Sequence, residues 1–124
     1  MAKSVHNDVL DAALNYIKNN CDSMIACSAE PTTYTEAVTT YALADVAMTG
    51  TDFTVADGDV SGRKVTVGAK STVTVDSSGT FTHVALVDTG NTKLLLVSTG
   101  TSQALTAGNT VNFPAWDDEI ADPI

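Results

Sequence analysis

The sequence predicts a mainly β fold, an antiparallel β-sandwich or small jelly-roll-like barrel with one N-terminal α-helix. Three observations predict it. From residue 53 onward, short segments rich in Val, Thr, Leu and Phe follow one another, which is typical of strands. Turns rich in Gly, Ser and Asn separate these segments. The first twenty residues instead carry apolar side chains at helical spacing.

The predicted helix covers residues 1–20. Apolar side chains recur every four residues along it and form a stripe, Val5, Val9, Ala13 and Ile17, widened by Leu10 and Leu14. Ser4 or Asn7 is expected to cap its start, and Asn19 with Asn20 to end it. Because one helix of this size cannot bury its stripe alone, we expect it to pack on a sheet or on a neighbouring subunit.

A β-rich body is predicted over residues 24–120, followed by an acidic tail at 121–124, all within a single domain 1–124. The candidate strands are SMIACSA, YALADVAM, GRKVTVGA, STVTVD, TFTHVALVD, TKLLLVST and NTVNFPAW. The connection EPTTYTEAVTTY contains Pro31, so it is expected to be irregular, with one helical turn in TYTEA. The C-terminal PAWDDEIADPI is expected to be a solvated acidic edge.

Two of these strands carry apolar side chains on both faces, at residues 84–87 and 94–97. A half-exposed antiparallel strand would alternate between apolar and polar residues. Both strands are therefore predicted to be central in a sheet that is covered on both sides. The helix or a partner subunit would supply a cover, and burial within the monomer is the favoured interpretation.

Composition limits the classes of partner. The 124-residue chain is 44% hydrophobic, only 17% charged, and has a formal net charge of −9. Its six Lys and Arg are scattered, so neither a nucleic acid nor an anionic membrane is expected as a partner. The N-terminus lacks the apolar region of a signal peptide, and no apolar run reaches the roughly 18 to 20 residues of a membrane span. Folding in a cytoplasm is expected.

Two cysteines, Cys21 and Cys27, are separated by five residues. In a reducing compartment they are expected to be buried or half-buried thiols. Their spacing is not that of a standard zinc pair, and the histidines, His6 and His83, are far off in sequence. No cofactor is predicted.

The segment ADGDVSG, residues 56–62, reads as the first half of a calcium loop, with Asp57, Asp59 and Ser61 at the ligand positions. The bidentate Glu that would close such a site is replaced by Gly68, and a strand rather than a helix follows. The favoured interpretation is a tight turn in which both Asp side chains cap backbone amides. A weak cation site at these three residues is the other possibility.

Catalytic signatures are missing from the sequence. It has no G-x-S-x-G elbow, no P-loop and no G-x-G-x-x-G motif. His83 lies in a strand with apolar neighbours and no base or nucleophile near it in sequence. A non-enzymatic protein is predicted, and a small hydrolase using acidic pairs such as Asp57 and Asp59 is the weakest of the alternatives.

Several segments resemble a group of small virion proteins of tailed phages and prophages. They span nearly the whole chain in the same order: DAALNYIKNN, CSAEPTTYTEA, ADGDVSGRKVTV, HVALVD and SQALTAGNTVNFPAWDDEIADP. Members of this kind look like capsid decoration, or cement, proteins. The resemblance implies a β-rich domain, made in the bacterial host cytoplasm, that binds the exterior of the capsid shell and stabilises it.

That resemblance implies two partners, the phage major capsid protein and further copies of the chain itself in a dimer or trimer. The expected contact residues are Val5, Val9 and Leu10 of the helix, Tyr34 and Tyr41 of the polar connection, and Trp116 and Ile120 near the C-terminus. For Trp116, closing the monomer's own core is an equal alternative. The second functional hypothesis is a tail or fibre module that recognises host glycan or protein, with or without calcium at Asp57 and Asp59.

Overall fold

The computed structural model describes residues 4–123, and in that range the chain is mainly β. The helix α1 (Asn7–Asn20) comes first, followed by nine strands: β1 (Ser23–Cys27), β2 (Ala42–Ala47), β3 (Phe53–Asp57), β4 (Arg63–Val67), β5 (Lys70–Thr74), β6 (Gly79–Asp88), β7 (Lys93–Leu105), β8 (Thr110–Phe113) and β9 (Trp116–Ile120). A short π-helical turn (Glu36–Thr40) precedes β2, and a 3-10 turn (Gly50–Asp52) precedes β3.

Helix α1 begins after His6, whose Nδ1 accepts a hydrogen bond from the Asp8 N–H over 3.0 Å. The prediction of Ser4 or Asn7 as the cap is therefore wrong, because His6 already has the extended backbone that a capping residue needs. The helix ends at Asn20, as predicted. Asp8 in the first turn and Lys18 in the last turn suit the helix dipole.

The buried face of α1 differs from the predicted four-residue repeat. Leu10 and Leu14 are buried and Ile17 packs against the core, whereas Val9 and Ala13 are exposed. Each residue advances about 100° around a helix, so a strict four-residue spacing drifts off one face by about 40° per step. Spacings of four and then three residues stay on one face, which is why the leucine-containing row is buried.

Across residues 4–123 the strands form the antiparallel sheets of a sandwich and do not close into a barrel. The largest sheet has four strands in the order β2-β1-β6-β7, a second has the order β3-β4-β9, and β5 pairs with β8. An isolated bridge between Ala44 and Val75 links the edge of the four-stranded sheet to the segment after β5. The predicted fold class, a β-sandwich with one N-terminal helix, is confirmed.

Two apolar clusters lie on opposite faces of the four-stranded sheet. The main core joins its inner face to the other sheets and to α1, with Leu14, Met24, Phe53, Val65 and Leu86 among its most buried members. The outer cluster is smaller, and the connection at residues 33–41 covers it. The second cover is thus supplied by the monomer itself, as favoured from the sequence.

Strand β6 is central, between β1 and β7, and residues 84–87 are all buried, as predicted. Strand β7 contradicts the same prediction, because it is the last strand of the sheet and residues 94–97 are only half-buried. Apolar side chains on both faces of a strand indicate that both faces are covered. They carry no information on whether the second backbone edge is paired.

The C-terminal prediction also needs correction. Residues 116–120 form strand β9, which pairs with β4 so that Trp116 lies opposite Val67 and Asp118 opposite Val65. The run Asp117, Asp118, Glu119 hides this strand in the sequence because acidic residues are rare in strands. Two other strands differ: β3 is absent from the candidate strands, and β7 extends beyond the candidate strand TKLLLVST as far as Leu105.

Candidate functional site

The ADGDVSG loop joins β3 to β4 as a tight turn. The Gly58 N–H donates to the Gly62 carbonyl over 3.0 Å. Gly62 has a φ of +66°, and a Cβ there would collide with the backbone at the end of β9. The Glu119 carboxylate accepts hydrogen bonds from the backbone N–H groups of Asp59 and Val60. The loop is the structural turn that the sequence favours, and it is held by a residue of another strand.

Arg63 fixes the base of this loop to helix α1. Its Nη1 lies 2.6 Å from Asp57 Oδ1, and its Nε lies 2.7 Å from Asp11 Oδ1 on the helix. The hydrogen bonds to Asp11 and then to Asp57 raise the pKa of Arg63 above its usual value. The helix and the loop are therefore joined through one guanidinium group.

Lys64 makes the matching contacts on the opposite face, because successive strand residues point to opposite sides. Its Nζ lies 2.8 Å from Asp59 Oδ1 and 3.3 Å from Asp117 Oδ2 on β9. Hydrogen bonds to these two carboxylates raise the pKa of Lys64. Ion pairs of this exposure add little stability one by one, so their main effect is to orient the loop.

These contacts bear on the cation site offered by the sequence. Asp57 is paired with the guanidinium group of Arg63, and Asp59 with the ammonium group of Lys64. The Ser61 Oγ accepts from the Asp122 N–H over 3.1 Å. Among the described residues, no three His, Cys, Asp or Glu side chains are grouped to hold a metal ion. The expectation that both Asp residues cap backbone amides is wrong, because Glu119 takes that role while the Asp carboxylates bind Arg and Lys.

The outward side of α1 carries an apolar strip formed by Val9, Ala13 and Tyr16. Val9 is 62% exposed and Tyr16 is 44% exposed. The Lys93 Nζ donates to the Tyr16 Oη over 3.1 Å and lies 5.7 Å from the centre of the tyrosine ring. This contact connects the strip to the first residue of β7.

The three predicted contact residues of the helix segment have different positions. Val9 belongs to the exposed strip and Val5 is half-buried. Leu10 is only 7% exposed and belongs to the interior of the monomer. Leu10 is therefore removed from the predicted contact surface. The four-residue spacing placed it at the edge of the apolar stripe, whereas it belongs to the buried row with Leu14 and Ile17.

Trp116 and Ile120 lie at the two ends of β9, half-buried against the main core. Trp116 also lines a groove of about 240 Å³ together with the rings of Phe81 and Phe113. The buried indole Nε1 of Trp116 has no hydrogen-bond partner among the described residues. The ring thus packs on the core, as one of the two sequence interpretations expects, and also lines a surface groove. Its role as a contact residue stays a prediction.

Sequence reasoning missed this groove because its walls come from strands that are distant along the chain. Gly100 on β7 is part of it, and a Cβ there would collide with the Phe81 ring. The spacing of aromatic residues alone does not reveal such an arrangement. The glycine inside a strand was the available signal, since it marks a close approach.

Tyr34 and Tyr41 flank the π-helical turn and pack, half-buried, on the outer cluster. A cavity of about 390 Å³ beside Tyr34 is also lined by Asp45 of β2 and Asp76. The hydrogen bond to Asp76 raises the pKa of Asp45, and burial and the charge of Asp76 act in the same direction. This carboxyl pair was not anticipated, because Asp45 lies on β2 and Asp76 in the connection between β5 and β6, far apart in sequence.

Both cysteines are free and buried. The Cys21 Sγ donates to the Ser23 carbonyl over 3.5 Å, and the Cys27 Sγ donates to the Ala37 carbonyl over 3.6 Å. Burial raises the pKa of each thiol to about 11. The prediction of buried thiols is confirmed, and the raised pKa keeps both sulfurs protonated at neutral pH.

Comparisons of the chain with protein-family models, with curated proteins and with solved structures found no match. Helix α1, with its fourteen residues, and the two short helical turns are too short and too polar to cross a bilayer within the described part of the chain.

Proposed function

We propose that this chain is a phage capsid decoration protein, which binds the outer surface of the assembled shell as an oligomer and stabilises it. The sequence resemblance to virion proteins of tailed phages suggests the partner, a major capsid protein, and the location on the virion exterior. The geometry supports the proposal by offering a contact surface. In this role the protein acts by binding and not by catalysis.

The observation that carries the proposal is the distribution of exposed apolar side chains. Among the described residues, the large hydrophobic side chains left exposed are Val9 and Tyr16 on α1 and Val60 in the ADGDVSG loop, which is 91% exposed. The ion pairs of Arg63 hold that loop to the helix. The strip of Val9 and Tyr16, on one side of α1 and on an otherwise acidic surface, is suited to protein contact.

Binding to an assembled shell explains how so simple a protein stabilises it. A ligand that binds the assembled state better than the free subunits shifts the equilibrium toward assembly by mass action. Several weak contacts presented by one oligomer add up through effective concentration. The net charge of −9 fits a location outside the shell, since packaged DNA repels an acidic chain.

Co-sedimentation of the full chain with undecorated capsids tests the proposal. Wild-type protein is expected to bind and to raise the temperature at which the capsid opens. Val9→Asp and Tyr16→Ala are expected to weaken binding at least tenfold, because they remove the apolar contact. Asn19→Ser, at an exposed site on the same helix, is the matched control and should bind as wild type. Capsids that neither bind the protein nor gain stability would refute the proposal.

The aromatic groove of Phe81, Phe113 and Trp116 favours a second candidate, a tail or fibre module that binds host glycan. Aromatic faces beside polar groups such as Gln103 suit a sugar ring. Glycan-array binding that Trp116→Leu abolishes would support this candidate. If this module binds calcium, its melting temperature should rise with calcium and fall with EDTA. A melting temperature that responds to neither would exclude the calcium-dependent version of this candidate.

A further inference from the structure

The four-stranded sheet ends in a strand whose second edge is open. In the part of the chain that the structure describes, β7 pairs with β6 alone, so the N–H and C=O groups along its other side have no strand partner. The opposite end of the sheet is protected differently. There the Leu43 carbonyl of β2 accepts from the N–H groups of Asp76 and Ser77, over 2.7 and 3.1 Å.

Residues 96–99 of β7 lack the usual protection of an open edge, which is a charge, a proline or a bulge. The strand is thirteen residues long and contains neither proline nor an inward-pointing charge. Leu94 and Val97 pack on the outer cluster, while Leu95 and Leu96 pack on the main core, and all four are only half-buried. Register shifts lie on either side of residues 96–99, and this run itself pairs regularly with β6. Such an edge is a ready template for another strand.

Charge identifies which strand fits this edge. The chain has a net charge of −9, yet Lys93 is the only charged residue between residues 89 and 116. Two copies that approach through most other surfaces would bring carboxylates together. Two copies that approach through β7 bring no carboxylates of that strand together. The electrostatic cost of self-association is therefore lowest at this edge.

We propose that β7 pairs antiparallel with β7 of a second copy, about a two-fold axis. The pairing joins two four-stranded sheets into one continuous sheet and gives the open N–H and C=O groups of β7 a strand partner. An isologous contact of this kind uses one patch twice, which a single self-complementary edge permits. Self-association is part of the proposed function, and in that respect this inference rests on it. What is new is the surface, the open edge of β7, through which the two copies associate.

Sedimentation of the full chain over a concentration series, together with hydrogen exchange, tests the pairing. A dimer is expected, and the backbone amides of residues 94–99 should exchange more slowly as the dimer forms. Val97→Lys should shift the chain to monomer, because the symmetric contact would place two charges side by side. Ala47→Lys, which puts the same charge on the other edge strand of the sheet, should leave the dimer intact.

Three results would overturn the inference. These are a monomer at every concentration, a dimer whose β7 amides exchange at a rate independent of concentration, and protection of β7 that requires added capsids. The last result would make the capsid protein the occupant of the edge. A β7 dimer that does not bind capsids would leave the inference standing and refute the proposed function. A monomer that binds capsids would refute the inference and the oligomeric part of the proposed function, and leave capsid decoration standing.

Discussion

The carboxylate of Glu119 accepts from two loop N–H groups that have no other acceptor among residues 4–123. Glu119→Ala is therefore expected to lower the free energy of unfolding by about 1 kcal/mol. Glu30→Ala removes an exposed carboxylate from the connection after β1 and should change it by less than about 0.5 kcal/mol. Urea unfolding of both variants measures the difference. Equal effects would show that Glu119 does not hold the loop.

Asp118 lies opposite Val65, which is fully buried, and burial followed by the charge of Asp117 raises the pKa of Asp118. The folded chain therefore keeps this proton over a pH range in which the unfolded chain has lost it. The raised pKa therefore lowers the free energy of unfolding. This loss of stability is absent below the unfolded pKa, develops as pH rises, and is complete above the folded pKa.

Asp118→Asn should thus stabilise the protein at neutral pH, by about 0.5 kcal/mol because water still screens the site. The gain should vanish in acid, below the unfolded pKa. Thermal unfolding across pH measures it, with the exposed Asp122→Asn as control. A stability difference between wild type and Asp118→Asn that does not change with pH would contradict the burial explanation.

The candidate site was predictable only where it depends on neighbours in sequence. Gly58 and Gly62 predict the turn because their conformational freedom is a local property. The acceptor that holds the turn, Glu119, lies on β9, some sixty residues further along the chain. The aromatic groove depends in the same way on strand pairing, so the sequence pattern alone does not reveal it.

At the level of elements, the corrected face of α1 makes a direct prediction. Leu14 is 1% exposed in the main core, so Leu14→Ala is expected to lower the free energy of unfolding by about 3 kcal/mol. Val9→Ala, on the exposed strip, should cost less than about 0.5 kcal/mol. Denaturant unfolding compares them. A larger loss for Val9→Ala would restore the four-residue stripe as the buried face.

The helix and most strands were predictable because amphipathic spacing and β-branched runs are local signals. Strand β9 was missed because its acidic residues argue against a strand. The carboxylates of Asp117 and Glu119 are compensated by Lys64 and by the loop amides, which only the fold brings near. The central position assigned to β7 failed for another reason. Apolar faces indicate that a strand is covered and carry no information on the pairing of its edges, because a face and an edge are independent.

For the whole molecule, the structure combines an acidic surface with two uncharged features, the helix strip at Val9 and Tyr16 and the open edge of β7. In the proposed account these features have separate partners, the capsid shell and a second copy. A dimer would then present two helix strips to the shell, and binding through both would be tighter than through one. Monomeric Val97→Lys should accordingly bind capsids more weakly than the dimer, with each helix strip unchanged.

The most direct test of the central claim is the copy number of this chain in purified virions, measured by quantitative mass spectrometry against the major capsid protein. A decoration protein occupies repeated positions on the shell, so the account predicts a ratio near one or a simple fraction of it. A handful of copies per particle would place the chain in the tail or its fibres. Its absence from the virion would contradict both structural roles.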